Sequence, residues 1–350
     1  ADTIAHEQAF TNLNTRAATF GLSIQDSANL MMGLSRGLHS TNFDVLSDAA
    51  NDLAAMSTAT GLSIDEVGEL SSQMMFFGKT AKDVSKYSED VMKSSYKYGV
   101  SGKKILQDIN KSLPNIRALG WQGGADALQA MAMQAERLGL SVETLVDSSK
   151  KLRTLESSLE TSADLALMGL NINPLQLLGA ARKGGQDYLN MINQLGAGIG
   201  KFNKVTGEME FNPLDYDILS QRAEAVGISV QDLQKQITKS AQDNQKVRLL
   251  PPGLFKGLKP EEQAFLLDSM KMKDGKLVNF KIGDLTNVSQ LSATAVKAAA
   301  ETTAKNKETL ELQAQNNMHF QQSVDGLKGS IMSIFTFLQP IIDKLTGMVQ

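Results

Sequence analysis

A short phrase, Gly61-Leu62-Ser63-Ile64-Asp65-Glu66, decides the fold class because close copies of it recur along the chain. A glycine just past a helix end can take the left-handed conformation, and the apolar residue after it packs back on that helix. The serine then caps the next helix by accepting from its free N–H groups, and Glu66 is placed to complete a capping box with Ser63. The other close copies begin Gly21-Leu22-Ser23, Gly139-Leu140-Ser141 and Gly227-Ile228-Ser229.

Looser copies extend the pattern and predict an array of helical hairpins. They occur at Gly99-Val100-Ser101 and at Gly169-Leu170-Asn171, and Gly78-Lys79-Thr80 is a variant with threonine as the cap. Repeated corners before segments of apolar helical periodicity indicate stacked helix pairs. The later copies are unevenly spaced, so we expect an irregular array over residues 1–199 rather than a strict solenoid.

Residues 200–283 differ in sequence pattern. In two segments, apolar and polar residues alternate on both sides of a turn, as they do in β-hairpins. The first turns at Thr206-Gly207 and the second at Asp274-Gly275, the strongest short turn signal. A lone two-stranded hairpin is marginal in water, so we predict that the two pair into one small sheet. Helices over 215–239 and 260–269 would lie between them, which makes this region an α+β insertion.

Residues 284–350 are predicted to form a long helix that ends in a coiled-coil seam. The part from Thr286 to Lys307 carries a weak apolar stripe and is expected to be too polar to pack deeply. From Val324, two positions repeat every seven residues over four repeats, the minimum that makes a coiled coil credible. Pro340 predicts a kink in this helix. An equal alternative to the coiled coil is one amphipathic helix that packs on the chain's own core. The predicted oligomerisation residues are Val324, Ile331, Phe335, Leu338, Ile342, Leu345 and Val349.

Composition excludes several functional classes. The 350 residues include no cysteine, which removes disulfides, thiol nucleophiles and most structural zinc sites. The formal charge of −3 argues against a dedicated nucleic-acid binder, because such a protein needs a basic surface. His6, His39 and His319 are far apart and have no partner at a metal-ligand spacing. We therefore predict no catalytic, cofactor-binding or metal-binding residues and a structural chain that is not an enzyme.

Two glycine-containing segments imitate nucleotide-binding loops. Gly78-Lys79-Thr80 lacks the glycine needed five residues earlier, where Gln73 stands, and helix propensity replaces the required strand. The segment Gly196-Ala197-Gly198-Ile199-Gly200 follows no buried strand and is interpreted as a flexible joint. The single tryptophan, Trp121, is expected to anchor a turn.

With its corners between helices rich in Ala, Met, Leu and Ser, the chain resembles bacteriophage tail tape-measure proteins. The phrase Leu327-Lys328-Gly329-Ser330-Ile331-Met332, followed by Phe337-Leu338-Gln339-Pro340-Ile341-Ile342, is similar to a segment common in that family. Residues 211–227 and the Asp274-Gly275 hairpin also resemble virion structural proteins of this kind. Members of the family are usually much longer, so residues 1–283 would be a folded part and not the ruler itself.

The resemblance implies an elongated, mostly helical virion protein, made in the host cytoplasm, that lies in the tail-tube lumen and sets tail length. It would end near the baseplate hub, leave ahead of the DNA, and in some cases contact the host membrane. Trimers or hexamers would run in parallel along the axis beside tube and hub proteins. No cofactor, sequence-specific nucleic acid or active residue follows from the likeness.

Two hypotheses from other functional classes remain open. A helical adaptor without a viral role would bind a partner helix and predicts a stable monomer with an exposed apolar groove. A tail-associated cell-wall hydrolase would clear peptidoglycan, but the chain shows no site residues for it. A pore-forming role for 331–349 is a weaker variant of the tape-measure reading, since the charged residues there do not suit a membrane span.

Overall fold

The computed structural model describes residues 43–121, 124–273, 276–278, 282 and 288–310, together with Met32 and Gln313. The protein is mainly α-helical with small β-hairpins, which confirms the predicted fold class at that level. The helices are α1 Phe43–Thr60, α2 Ile64–Met75, α3 Ala81–Tyr98, α4 Gly102–Leu119, α5 Gly124–Leu138, α6 Val142–Lys151, α7 Leu155–Leu167, α8 Pro174–Lys183, α9 Gly185–Gln194, α10 Pro213–Val226, α11 Val230–Arg248 and α12 Pro260–Asp268. Residues 293–310 are also helical and are called α13.

The Gly-x-Ser corners join consecutive helices with the geometry expected of them. Ser63 accepts the N–H of Glu66 at 3.2 Å, and the Glu66 carboxylate accepts the N–H of Ser63 at 2.8 Å. Ser141 and Ser229 cap α6 and α11 by accepting the N–H groups three residues on. The glycines have left-handed φ angles: Gly61 69°, Gly139 67° and Gly227 79°. Gly21 and Ser23 lie outside the described residues.

In the looser corner Gly169-Leu170-Asn171-Ile172-Asn173, the last residue of the phrase is the cap. Asn173, not Asn171, precedes α8, and its side-chain oxygen accepts the N–H of Leu175 at 2.8 Å. The reason is local: Pro174 occupies the first helical position, where its missing N–H and fixed φ fit, so the cap must directly precede it.

A single hydrophobic core unites the helices from α1 to the first half of α11. Its fully buried members include Ile109 on α4, Tyr188 on α9 and Leu233 on α11. A second cluster gathers Leu250, Leu254 and Leu258 with α12, Ile282, Leu291 and Val296. The second cluster begins at Leu250, whereas α10 and α11 contribute Leu219, Val226 and Leu233 to the first. The domain boundary at residue 200 stays a prediction.

The two β-hairpins do not merge into one sheet, so that prediction was wrong. Strand β1 (Lys201–Asn203) pairs antiparallel with β2 (Glu208–Glu210), and β3 (Lys271–Lys273) pairs separately with β4 (Lys276–Val278). The physical reason is that the hairpins attach to different cores. Met209 packs against the first cluster and Leu277 packs against the second.

The beginning of the last segment packs more deeply than its polar composition suggested. Val296 and Ala300 are fully buried, and Ala304 joins the first core. These few apolar residues lie four positions apart, so they form one narrow stripe that is enough to dock α13. At the far end of α13, Glu308 helps line a cavity of about 200 Å³ together with residues of α1 and α3.

Two glycines are needed where helices and turns approach closely. Gly184 separates α8 from α9 with φ 68° and ψ −157°, and a Cβ there would overlap the Trp121 ring. Trp121 is 5% exposed and thus anchors this junction. A Cβ at Gly196 would overlap the side chain of Ile237. The segment 196–200, interpreted as a flexible joint, is therefore a packed turn in which Ile199 is buried.

Candidate functional site

Most of the functional residues expected from the sequence lie outside the described residues. These are the whole seam from Val324 to Val349, including Ile331, Phe335 and Leu338, and the corner residues Gly21 and Ser23. The capping residues from Gly61 onward are described, and they hold helix junctions. The structure brings together instead three polar features that the sequence analysis did not single out: a buried arginine, an ion-pair cluster and a groove with an acidic rim.

Arg222 on α10 binds the ends of two other helices. Its guanidinium donates to the carbonyl oxygens of Leu195 and Ala197, each at 2.7 Å, and to that of Met168 at 2.9 Å. Leu195 and Met168 are the C-caps of α9 and α7, where the helix dipole is negative. Burial lowers the pKa of Arg222, but arginine stays protonated in proteins. The charge is thus stabilised by helix ends in place of a carboxylate.

An ion-pair cluster joins the array to the second core. Arg137 on α5 donates to both carboxylate oxygens of Asp268, at 2.6 and 3.0 Å, and to Asp243 at 2.8 Å. Lys239 donates to Asp268 at 2.6 Å, and Lys246 donates to the Leu267 carbonyl at 2.6 Å. The Arg137 side chain is only 8% exposed. The bidentate geometry fixes the end of α12 against α5 and α11.

Burial and charge act in opposite directions on this cluster. Burial by itself raises the pKa of Asp268, but hydrogen bonds and charge from Arg137 and Lys239 outweigh it and lower the pKa below the ordinary 3.8. Burial lowers the pKa of Lys246, with the nearby Lys239 adding to the effect. The cluster therefore holds Asp268 ionised, and both carboxylate oxygens of Asp268 accept hydrogen bonds from within the protein. This arrangement suits a clamp between elements.

The sequence held a partial signal for Arg222 and none for the ion-pair cluster. Arg222 lies three residues after Leu219 and four before Val226, which places a charge on the apolar face of α10. A charge at such a position needs a buried partner, so this pattern could have identified Arg222 as a buried arginine. Arg137, Asp243 and Asp268 are far apart in sequence and meet only through the packing of three helices.

A groove between α7 and α10 is lined by charged side chains. Its volume is about 450 Å³. Glu160 and Asp164 of α7 and Glu224 of α10 lie along it, and Leu167 and Ala225 are among its apolar lining. Lys151 closes one side by donating to the Glu224 carbonyl oxygen at 2.9 Å. Three carboxylates against one lysine give the groove an acidic rim.

Neither a metal-binding cluster nor a membrane-spanning helix occurs among the described residues. Among them, no group of three or more His, Cys, Asp or Glu side chains is arranged to hold a metal ion. No helix within the same residues is long and apolar enough to cross a membrane.

Comparison with known proteins gives no relative for this chain. No protein-family profile matches it, and neither the curated proteins nor the solved structures contain a detectable match.

Proposed function

We propose that this chain is a structural, non-enzymatic virion protein of a phage tail, the folded part of a tape-measure-type protein. The main support is the resemblance in sequence, carried by the corner phrases at Gly61, Gly139 and Gly227. Each of these phrases joins two helices of the array. In this role the chain sets tail length from within the tube and baseplate hub and is released ahead of the DNA at ejection.

Two measurements test this proposal. Light scattering of the purified chain across a concentration series is expected to give the mass of three or six protomers, as an axial component requires. Quantitative mass spectrometry of purified tailed particles from the source organism is expected to find the chain at a matching copy number. Absence from every particle would contradict the virion role, whatever the oligomeric state.

An adaptor function is the second candidate, and a specific observation favours it. Leu155, Leu159 and Leu167 on α7 are 50%, 50% and 89% exposed, which is unusual for three leucines of one short helix. Adaptors bind partner helices through exposed apolar faces of this kind. A monomer at every concentration, together with absence from tailed particles, would favour this function over the tape measure.

A further inference from the structure

Helix α7 carries an exposed apolar ridge. Leu155, Leu159, Ala163 and Leu167 follow one another at four-residue intervals, and all four are exposed. Residues at this spacing form one ridge along a helix surface, the kind that fits between ridges of a second helix. Ala163, in the third position, leaves a shallow place between larger side chains.

The opposite side of α7 is the one that packs on the protein, and it is unusually polar. Its buried residues are Ser158, Thr161 and Leu165. Ser158 donates to the carbonyl of Leu152 at 2.8 Å, and Ser162 donates to the carbonyl of Ile172. The helix thus buries two hydroxyl residues with one leucine and exposes three leucines, unlike an ordinary surface helix. The exposed ridge is therefore not an incidental remainder of core packing.

An acidic ridge runs directly beside the apolar one. Glu156, Glu160 and Asp164 each follow an apolar-ridge residue by one position and are exposed. Within the described residues, none of the three takes part in an ion pair of the folded chain. The acidic ridge forms one rim of the groove, and Glu224 of α10 lies on the other side. The apolar ridge thus has a negatively charged flank whose charges are open to a partner.

The charge pattern indicates which occupant fits this face. An antiparallel pair of α7 helices around a two-fold axis would bring the two acidic ridges together, and like charges at such contacts are destabilising. An anionic membrane surface would be repelled for the same reason. A helix with its own apolar ridge flanked by Lys or Arg would match both ridges at once.

We propose that the α7 face, defined as Leu155, Leu159, Ala163 and Leu167 with Glu156, Glu160 and Asp164, binds an amphipathic helix of another protein that has a basic flank. The apolar ridges supply the buried contact, and the paired charges set orientation and select the partner. This interaction goes beyond the proposed function and does not depend on it, because no residue of the face belongs to the predicted seam that would join copies of this chain.

The test uses two synthetic helical peptides of about 20 residues, long enough to form a helix on binding. They share one leucine ridge and differ only in its flank, which is lysine in one and glutamate in the other. Fluorescence anisotropy with the full chain is expected to show binding of the lysine peptide and at least about tenfold weaker binding of the glutamate peptide. Equal binding of both would overturn the proposal.

Two sets of substitutions place the interaction on α7. The double substitution Leu155→Gln with Leu159→Gln is expected to weaken lysine-peptide binding at least about tenfold. The control Leu310→Gln removes a leucine that is 65% exposed on α13 and is expected to leave binding unchanged. Circular dichroism verifies that each variant is folded. Unchanged binding by the α7 variant would overturn the proposal.

Reversing the charges of the acidic ridge tests the charge matching separately from the apolar contact. The triple substitution Glu156→Lys, Glu160→Lys and Asp164→Lys is expected to reverse the preference, so that the glutamate peptide binds more tightly. Loss of binding to both peptides without reversal would contradict a charge-matched partner. Light scattering without peptide adds a further outcome. If L155Q/L159Q abolished self-association of the chain, the face would be a contact between copies, which would overturn the proposal.

Discussion

The glycine between α8 and α9 illustrates what one residue can decide. At Gly184 the backbone lies in a region open essentially to glycine alone, and the Trp121 ring covers the site of a Cβ. Gly179, inside α8, has neither constraint, since nothing lies within 4 Å of a Cβ there. The two positions are five residues apart, so they form a matched pair.

We expect Gly184→Ala to lower the free energy of unfolding by at least about 2 kcal/mol, because it combines backbone strain with overlap. Gly179→Ala should instead raise it by about 0.5–1 kcal/mol, because alanine restricts the unfolded chain and favours the helix. Urea unfolding followed by circular dichroism measures both. Equal effects of the two substitutions would contradict the packing of Trp121 on Gly184.

Local chemistry made the corner residues predictable from the sequence. Gly61, Ser63 and Glu66 act through contacts within six residues, and their roles follow from the conformational preferences of each type. Arg222 differs, since its partners lie 25 to 54 residues away. No local pattern specifies which carbonyls a buried guanidinium will meet.

At the scale of elements, Arg222 is the link among α7, α9 and α10. We expect Arg222→Met to reduce the free energy of unfolding by about 2–4 kcal/mol, because the carbonyls of Met168, Leu195 and Ala197 would lose a charged donor. The exposed Arg248 provides the control, and Arg248→Met should change stability by no more than about 0.5 kcal/mol. Similar losses in both variants, measured by urea unfolding, would argue against a specific role for the buried guanidinium.

The clamp between α5, α11 and α12 should make stability depend on pH. The pKa of Asp268 is lower in the folded protein than in the unfolded chain, so its contribution is present above the unfolded value and is lost as pH falls through the folded one. We expect the unfolding free energy to fall between about pH 5 and pH 2, with a smaller fall in Asp268→Asn.

The control for that dependence is the exposed residue Asp217. The substitution Asp217→Asn should leave the acid loss of stability as in the parent chain, when both are unfolded by urea at a series of pH values. At neutral pH, Asp268→Asn should already be less stable, because Arg137 and Lys239 lose an ionised partner. If Asp268→Asn kept the full acid dependence of stability, the responsible carboxylate would lie elsewhere.

At the scale of the whole molecule, the seam predicts how copies associate. We expect Ile331→Asp together with Leu338→Asp to abolish self-association, because charges at seam positions cannot be buried between helices. The described helices α1 to α12 should stay folded, with an unchanged helical signal in circular dichroism. Light scattering is the measurement, and retention of the oligomeric mass would refute the seam.

The overall class of fold was accessible from sequence, but the arrangement of its parts was not. Corners and helical periodicity are local and recur, so they predicted the helices. The single sheet was wrongly predicted because nothing near Gly207 or Leu277 tells which core each hairpin will join. The exposed α7 ridge was missed for a related reason. Leucines at helical spacing ordinarily mark a core face, and only the packing shows that Leu159 points outward.

The meeting of α1 and α13 on α3 has a mechanical consequence. Ala59 near the end of α1 and Glu308 near the end of α13 line the same cavity with Met92 of α3. A pulling force applied through these two segments would pass from one to the other across α3. Because α13 also packs in the second core through Val296, tension would load its contacts with α3 and with that core before it stretched the remainder of the array.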